Sequence, residues 1–358
     1  MLKSSEIFPH DVVMRRGHET PRSLTRRVLD IRAFRRVVDH ERARSDRSGQ
    51  PFAIVVFDLR DPAAPLEWHA TAELLAARLR TIDEIGWMAQ NRLAVLLPYS
   101  SVEAGAKLGD DVVAAHTLDI TPPNWKVYAY PSRWPAPESG DDDENGESLT
   151  RQLEPFFARP LPWWKRLMDI AGALVGMIVL APLLLAVAIA LKLTSRGPII
   201  FTQQRSGLGG RRFRMLKFRS MIADAEQRRN ELLSRNEQDG PAFKITNDPR
   251  VTWLGRWLRI TSIDEFPQLW NVLKGEMSLV GPRPLPCHEA EACEVWQRRR
   301  LDVTPGLTCL WQTQGRPRTS FARWMRLDLQ YIHEHSLWTD VKLILLTFPT
   351  ILKNRSDR

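Results

Sequence analysis

Apolar residues recur at helical spacing through Leu24, Val28, Ile31, Phe34, Val37 and Val38, with arginines between them, so residues 24–43 read as an amphipathic helix. After the turn Ser48-Gly49-Gln50-Pro51, residues 52–59 form a short, unbroken, β-branched run, the mark of a buried strand. A helix near residues 71–80, a hairpin over 83–91, a strand over 93–97, a helix near 102–116 and a strand over 125–130 follow. That order predicts a small α/β sandwich over residues 24–131, behind a polar, Arg-rich segment, residues 1–23, expected to be disordered. Residues 132–162 are rich in Pro, Ser, Gly and acid and lack apolar periodicity, so they read as a linker.

The pattern then changes. Ile170 to Leu191 is a run of 22 residues without a charge, long enough for a helix to cross the hydrocarbon core. Trp163, Trp164, Lys165 and Arg166 precede it as an aromatic and basic edge suited to headgroups. Basic residues stand on both flanks, so a simple span would carry one of them across against the positive-inside tendency. Pro182 in mid-segment removes a helix hydrogen bond and favours a kink. A helix over about residues 167–193 that enters, bends at Pro182 and returns to the same face satisfies both observations; a single span is the alternative. Residues 199–221 read as a strand, a Gly-rich turn and a strand with alternating bases. Residues 337–352 are apolar on one side, suited either to the membrane interface or to a buried helix.

Composition adds scale and sign. A chain of 358 residues, 43% hydrophobic, has material for two domains. The net charge of +9 is uneven, since six of the ten residues from Glu138 to Glu147 are acidic. This balance favours an anionic partner: nucleic acid, an anionic membrane surface or a phosphorylated small molecule. Neither a recognition helix nor interleaved stacking aromatics is evident, and a membrane segment lies adjacent, which argues against nucleic acid. Cys287, Cys293 and Cys309 are an odd set without a CxxC spacing, expected to be ordinary thiols in a reducing cytosolic environment. The N-terminus lacks the apolar region of a signal peptide.

Candidate chemistry gathers in Thr261 to Pro284. Asp264 and Glu265 stand at the expected start of an amphipathic helix, and the turn Gly281-Pro282-Arg283-Pro284 follows. Ser262 and Glu265 also have capping-box spacing, so the acid pair has a structural reading of its own. The two are compatible, because a helix N-terminus suits phosphate. Arg212, Arg214, Lys217 and Arg219 supply donors for a diphosphate or for lipid headgroups.

Two resemblances follow from these residues. Residues 24–131 resemble a GGDEF-like domain by element order: Asp58 stands at the matching strand end and residues 92–98 resemble the strand after the signature. The signature itself is absent, with Gly86 to Asn91 in its hairpin, which implies a catalytically dead domain used for regulation or interaction; an unrelated α/β domain without a ligand is the alternative. Residues 163–353 resemble the bacterial sugar transferases, the monotopic phosphoglycosyl transferases. The match rests on Pro182 in the apolar segment, Lys217 to Met221, Asp264-Glu265, Gly281 to Pro284, Thr304 to Arg316 and Asp328 to Ile332; Cys309 stands where the family usually has glycine.

The resemblance implies an α/β (α+β) fold in which the sandwich precedes a monotopic catalytic domain, residues 163–358, with a re-entrant helix. It implies transfer of a sugar 1-phosphate from a nucleoside diphosphate sugar, a UDP-sugar by expectation, to polyprenyl (undecaprenyl) phosphate, starting a polysaccharide or glycoconjugate. Asp264 would be the nucleophile that forms an aspartyl-phosphosugar. Glu265 would assist as a metal-side or proton-accepting group, with Mg2+ at the dyad. Lys217, Arg219, Arg283, Arg250 and Arg316 would bind substrate phosphates. The implied location is the inner membrane with both soluble domains on the cytoplasmic face, and a homodimer is left open. A membrane-anchored, nucleotide-sensing scaffold with an inactive transferase domain is the alternative.

Overall fold

The computed structural model describes residues 28–59, 65–116, 122–131, 150–152, 154–314 and 319–353. They fall into two units, Met1–Leu153 and Glu154–Arg358. The N-terminal segment expected to be disordered and the acidic run lie outside the described residues.

In unit 1 the elements are β1 (Val28–Leu29), α1 (Ile31–Ser48), β2 (Phe52–Asp58), α2 (Pro65–Ala76), β3 (Glu84–Ala89), β4 (Arg92–Pro98), α3 (Val102–Ala114), β5 (Asn124–Tyr130) and β6 (Thr150–Gln152). They build one six-stranded sheet in the order β1-β3-β4-β2-β5-β6. β2 is buried from Phe52 to Phe57 because antiparallel partners flank it on both edges and helices cover its faces. The first helix begins later than the apolar spacing suggests. Asp30 accepts from the Ala33 amide at 2.7 Å and caps α1, while Val28 and Leu29 pair in parallel with Ile85 and Gly86. Gly49, at φ 71°, ends the helix in the left-handed conformation. The expected linker is also partly ordered: β6 joins this sheet beside β5, and α4 (Glu154–Phe157) opens the second unit.

Unit 2 continues with α5 (Trp163–Thr194), β7 (Ile200–Ser206), β8 (Arg212–Phe218), α6 (Trp253–Ile260), α7 (Gln268–Lys274), β9 (Ser278–Val280), α8 (Cys287–Glu291), β10 (Gly306–Thr308), α9 (Leu310–Gln314), α10 (Phe321–Glu334) and α11 (Leu337–Lys353). The apolar segment is one continuous helix of 32 residues with Pro182 inside it, about 48 Å long at 1.5 Å per residue. One stripe of α5 packs on its own unit from end to end. Ala173 joins Leu269, Val272 and Met277, and Leu191 joins Phe218 and Leu258 with Leu184, Val187 and Ala188 alongside. The opposite stripe, with Leu174, Val175, Ile178, Val179, Leu185, Ile189 and Leu193, is exposed.

The basic pair in the first turn of α5 is not the headgroup contact its composition suggests. Lys165 is buried, donating to Asp340 Oδ2 at 2.5 Å and to the Val280 carbonyl at 3.0 Å. Arg166 donates to the carbonyls of Val272 and Leu273, both at 2.6 Å, and so caps the C-terminal end of α7. α11 combines both expectations: Asp340 and Leu343 are buried, whereas Trp338 and Leu345 are exposed.

Strands β9 and β10 pair in parallel where the Gly-Pro-Arg-Pro turn begins. A Cβ on Gly306 would lie 2.0 Å from the Gly281 amide nitrogen, and one on Gly281 would lie 2.6 Å from the Thr304 carbonyl. Glycine at both positions lets the two backbones touch, which fixes the turn against β10.

Candidate active site

The acid pair does not open a helix. After α6 the chain turns sharply at Ser262, whose φ of 56° is left-handed, and enters a 3-10 turn, Ile263–Glu265; α7 starts only at Gln268. A left-handed serine costs roughly 1–3 kcal/mol of backbone strain. Its side chain caps nothing on this turn, so the capping box is not formed. The short turn presents Glu265 to the face of the β7–β8 ribbon that carries Phe213, Met215 and Lys217, alternate residues of one strand, and the Lys217 charge is felt by Asp264 as well.

Glu265 is held by two cations. Lys217 Nζ donates to Oε1 at 3.1 Å; Arg283 donates through Nη1 to Oε2 at 3.2 Å and through Nη2 to Oε1. Burial alone would raise this carboxyl, but Arg283 and then Lys217 outweigh it and hold the group well below the usual carboxylate range. Burial lowers Lys217, partly offset by Glu265.

Asp264 differs. It is 6% exposed and makes no hydrogen bond or ion pair among the described residues. Burial pushes its pKa up to about 6; Lys217 opposes the rise and the neighbouring Glu265 adds to it. At neutral pH the group is therefore a mostly ionised, poorly solvated carboxylate with free lone pairs, the form a nucleophile requires.

Two further cations complete the surround. Arg205, on the Lys217 face of the ribbon, donates to the Pro284 carbonyl at 2.9 Å and to Gln203 Oε1 at 2.6 Å. Among the described residues no carboxylate lies within ion-pair distance of it and its buried Nε has no partner; burial with the nearby Arg283 pushes its pKa down to about 10. Arg259 in α6 donates to Ser220 Oγ at 2.9 Å; burial lowers it, and Asp264 is the largest opposing charge. Lys217, Arg283 and Arg259 all act on Asp264, and Arg205 lies beside Arg283, a concentration of positive charge suited to a diphosphate.

Of the expected phosphate donors, the structure brings Lys217 and Arg283 to the dyad. Arg219 is instead committed to the end of α5, donating to the Ser195 carbonyl at 3.0 Å, to Ser195 Oγ at 2.7 Å and to the Pro198 carbonyl. Arg250 forms a buried, two-pronged pair with Asp248 and donates to the Ala225 carbonyl at 3.0 Å. Most of their donors are thus engaged within the fold, away from the dyad. Arg316 lies outside the described residues. Arg205 and Arg259 were missed: following the alternation back from Lys217 across the hairpin would have found the first, but nothing local marks the second.

Cys309 is buried with Sγ 3.0 Å from Gln312 Oε1, and it is not among the residues with positive φ. The backbone there does not demand the glycine that the resemblance led one to expect.

No group of three or more metal-ligating side chains occurs among the described residues. Both Glu265 oxygens face cations, so its expected place on a metal does not fit. Asp264 alone has the free oxygens for Mg2+, which commonly takes one or two protein carboxylates and completes its shell with substrate phosphates and water.

Unit 1 has a comparable neutralised acid. Asp58, at the end of β2, lies 2.8 Å from Arg92 Nε and 3.6 Å from Lys126 Nζ.

Among solved structures, a DGC protein from Thermotoga maritima shares 17% identity, covering 30% of this chain and 86% of that chain, with a TM-score of 0.26. That likeness is too slight to bear on the fold. Sequence relatives are much nearer. The galactosyl transferase CpsE of Streptococcus agalactiae is 49% identical over 192 residues, 52% of this chain and 42% of that protein. The undecaprenyl-phosphate glucose phosphotransferase of Komagataeibacter xylinus is 42% identical over 214 residues, 55% of this chain and 38% of that protein. The chain thus spans about two fifths of the length of these two relatives. The match to the bacterial sugar transferase family runs over residues 161–354, which includes the dyad, both of its cations and the whole of α5. The chain belongs to the bacterial sugar transferase family.

Proposed function

We propose that the chain is a membrane-associated enzyme that transfers a sugar 1-phosphate from a nucleoside diphosphate sugar, with UDP-sugars as the first donors to test, to polyprenyl phosphate, so initiating a surface polysaccharide or glycoconjugate. The observation that carries this reading is the division of labour in the acid pair: Glu265 is occupied by Lys217 and Arg283, while Asp264 is buried, unpartnered and ringed by cations. Family membership and the names of the relatives support the same chemistry.

In the first step an Asp264 oxygen attacks the phosphorus that bears the sugar. An O–P bond forms, the bond from that phosphorus to the bridging oxygen breaks, and its electron pair leaves with the nucleoside monophosphate. In the second step an oxygen of polyprenyl phosphate attacks the same phosphorus and Asp264 departs as a carboxylate, giving a polyprenyl diphosphate sugar. Arg205, Arg283 and Lys217 would stabilise the diphosphate and the charge that builds on its equatorial oxygens. Mg2+ held by Asp264 and the donor phosphates would screen the repulsion between carboxylate and diphosphate.

The membrane seating is supported by α5, the one described helix long and apolar enough to cross a bilayer. Because one stripe packs on unit 2 from its first turns to its last, both ends stay with the same unit, which favours entry from one face, here assigned to the cytoplasmic face of the inner membrane. On α6, Trp253 and Trp257 are 68% and 61% exposed with Arg256 exposed between them, a pattern suited to headgroups.

The test is a single-turnover experiment with a UDP-sugar labelled in the sugar, without lipid acceptor. Release of UMP with label retained on denatured protein is expected, and both should vanish in Asp264→Asn. Normal turnover by that variant would sink the nucleophile assignment.

A further inference from the structure

Asp328 and Tyr331 lie in the stretch Asp328 to Ile332, one of those on which the resemblance to the sugar transferases rests, yet neither is bonded to the dyad. They sit three residues apart on one face of α10 and reach the two ends of the Gly-Pro-Arg-Pro turn by different routes.

The Tyr331 hydroxyl lies 3.1 Å from the Val280 carbonyl oxygen and 2.7 Å from Asp340 Oδ1, and it accepts from Lys165 Nζ at 3.2 Å. Lys165 donates to the same Val280 carbonyl. The Asp328 carboxylate lies 2.8 Å from Arg300 Nη2, both side chains being buried, and that Nη2 donates to the Arg283 carbonyl. Other backbone groups of the turn are engaged as well: Gly281 N with Thr308 O, Pro282 O with Gly306 N, and Pro284 O with Arg205. Three cationic side chains, Lys165, Arg300 and Arg205, thus serve carbonyls within five consecutive residues. Removing such groups from water is costly, and an ordinary turn needs none of them. What they secure is the backbone of Arg283, whose side chain holds Glu265.

We infer that Asp328 and Tyr331 are positioning residues, which orient Arg300 and Lys165 so that the Val280–Pro284 backbone is fixed and Arg283 meets Glu265 in register. Lys165 stands in the first turn of α5, so the same linkage joins the seating of the membrane helix to the site. The catalytic consequence rests on the proposed function; the physical linkage does not.

The experiment uses full-length protein in nanodiscs and the variants Tyr331→Phe, Asp328→Asn, Arg283→Lys and their pairwise combinations. Hydrogen exchange is read on peptides covering residues 278–286, together with melting temperature. Each α10 variant should speed exchange in 278–286 by tenfold or more while leaving unit 1 peptides unchanged; unchanged protection in 278–286 overturns the inference. Tyr331→Phe removes a single hydroxyl and keeps the ring, so it decides the matter if Asp328→Asn does not fold. In UMP release, each α10 variant should lower kcat at least tenfold with KM for the UDP-sugar within about twofold, and should add less than about twofold in the Arg283→Lys background. Losses that multiply in full would show that α10 acts other than through Arg283. If wild-type protein releases no nucleotide from a panel of donors, the functional reading falls while the exchange result still decides the linkage.

Discussion

Asp264 and Glu265 are neighbours in the chain, yet two cations close on Glu265 and, among the described residues, none bonds to Asp264. The pair therefore separates into a permanently ionised anchor and a carboxylate whose charge is poised near pH 6.

The first expected outcome is a pH profile. As the proposed nucleophile, Asp264 would have to be ionised to attack, so kcat/KM should climb as pH rises through about 6 and level off above it. In Glu265→Gln the negative neighbour is gone and Lys217 and Arg283 are freed, both of which favour an ionised Asp264. The acid limb should move below pH 6 while maximal activity falls about 10²–10³-fold. A limb that moves upward would contradict this account.

Stability should run the opposite way. A carboxyl whose folded pKa is raised contributes stability below its unfolded value, and that contribution is lost as pH rises through the folded pKa. Ionised and buried at pH 8, Asp264 destabilises the fold; Asp264→Asn cannot ionise. That variant should be more stable than wild type by about 1–3 kcal/mol at pH 8, since a tenfold change in an ionisation equilibrium is worth about 1.4 kcal/mol. The gain should fade as pH falls from 6 towards 4. Melting curves of both proteins across that range are the check.

At the β9–β10 seam, Gly306→Ala places a methyl group 2.0 Å from a backbone nitrogen that cannot move aside cheaply. The expected loss is about 1–3 kcal/mol or more, with activity falling further than stability because the Arg283 turn shifts. Activity and melting temperature measured together test this; a near-silent substitution would refute the close contact.

For the tryptophans of α6, the double variant Trp253→Ser, Trp257→Ser should partition less onto vesicles containing anionic lipid, by tenfold or more. Melting temperature should hardly change, because neither ring is packed in the core. Vesicle sedimentation reads the first, and unchanged partition would remove α6 from the membrane contact.

Much of this was legible in the chain for identifiable reasons. The unbroken apolar run of β2 could only be buried, and Asp264, Glu265, Arg283 and Lys217 stand in ordered motifs. Other features hid behind local ambiguity. Val28 fits the helical spacing of α1, and only its pairing with Ile85 shows it to be strand. Lys165 reads as a headgroup contact because its counter-ion, Asp340, is far away in the chain. Arg219 and Arg250 read as phosphate donors, but nothing in their sequence neighbourhood reveals the carbonyls and the carboxylate that they serve within the fold. Ser262 and Glu265 have the spacing of a capping box, but spacing does not reveal that the backbone at Ser262 is left-handed.

The one-sided packing of α5 carries a consequence for the lipid around it. In the proposed seating its outward stripe displaces acyl chains from a single leaflet, so the protein widens one half of the bilayer and leaves the other half to fill in beneath it. Leaflet asymmetry and packing defects, more than bilayer thickness, would then govern how firmly the enzyme is held, and small, loosely packed vesicles should capture it more tightly than flat, ordered ones.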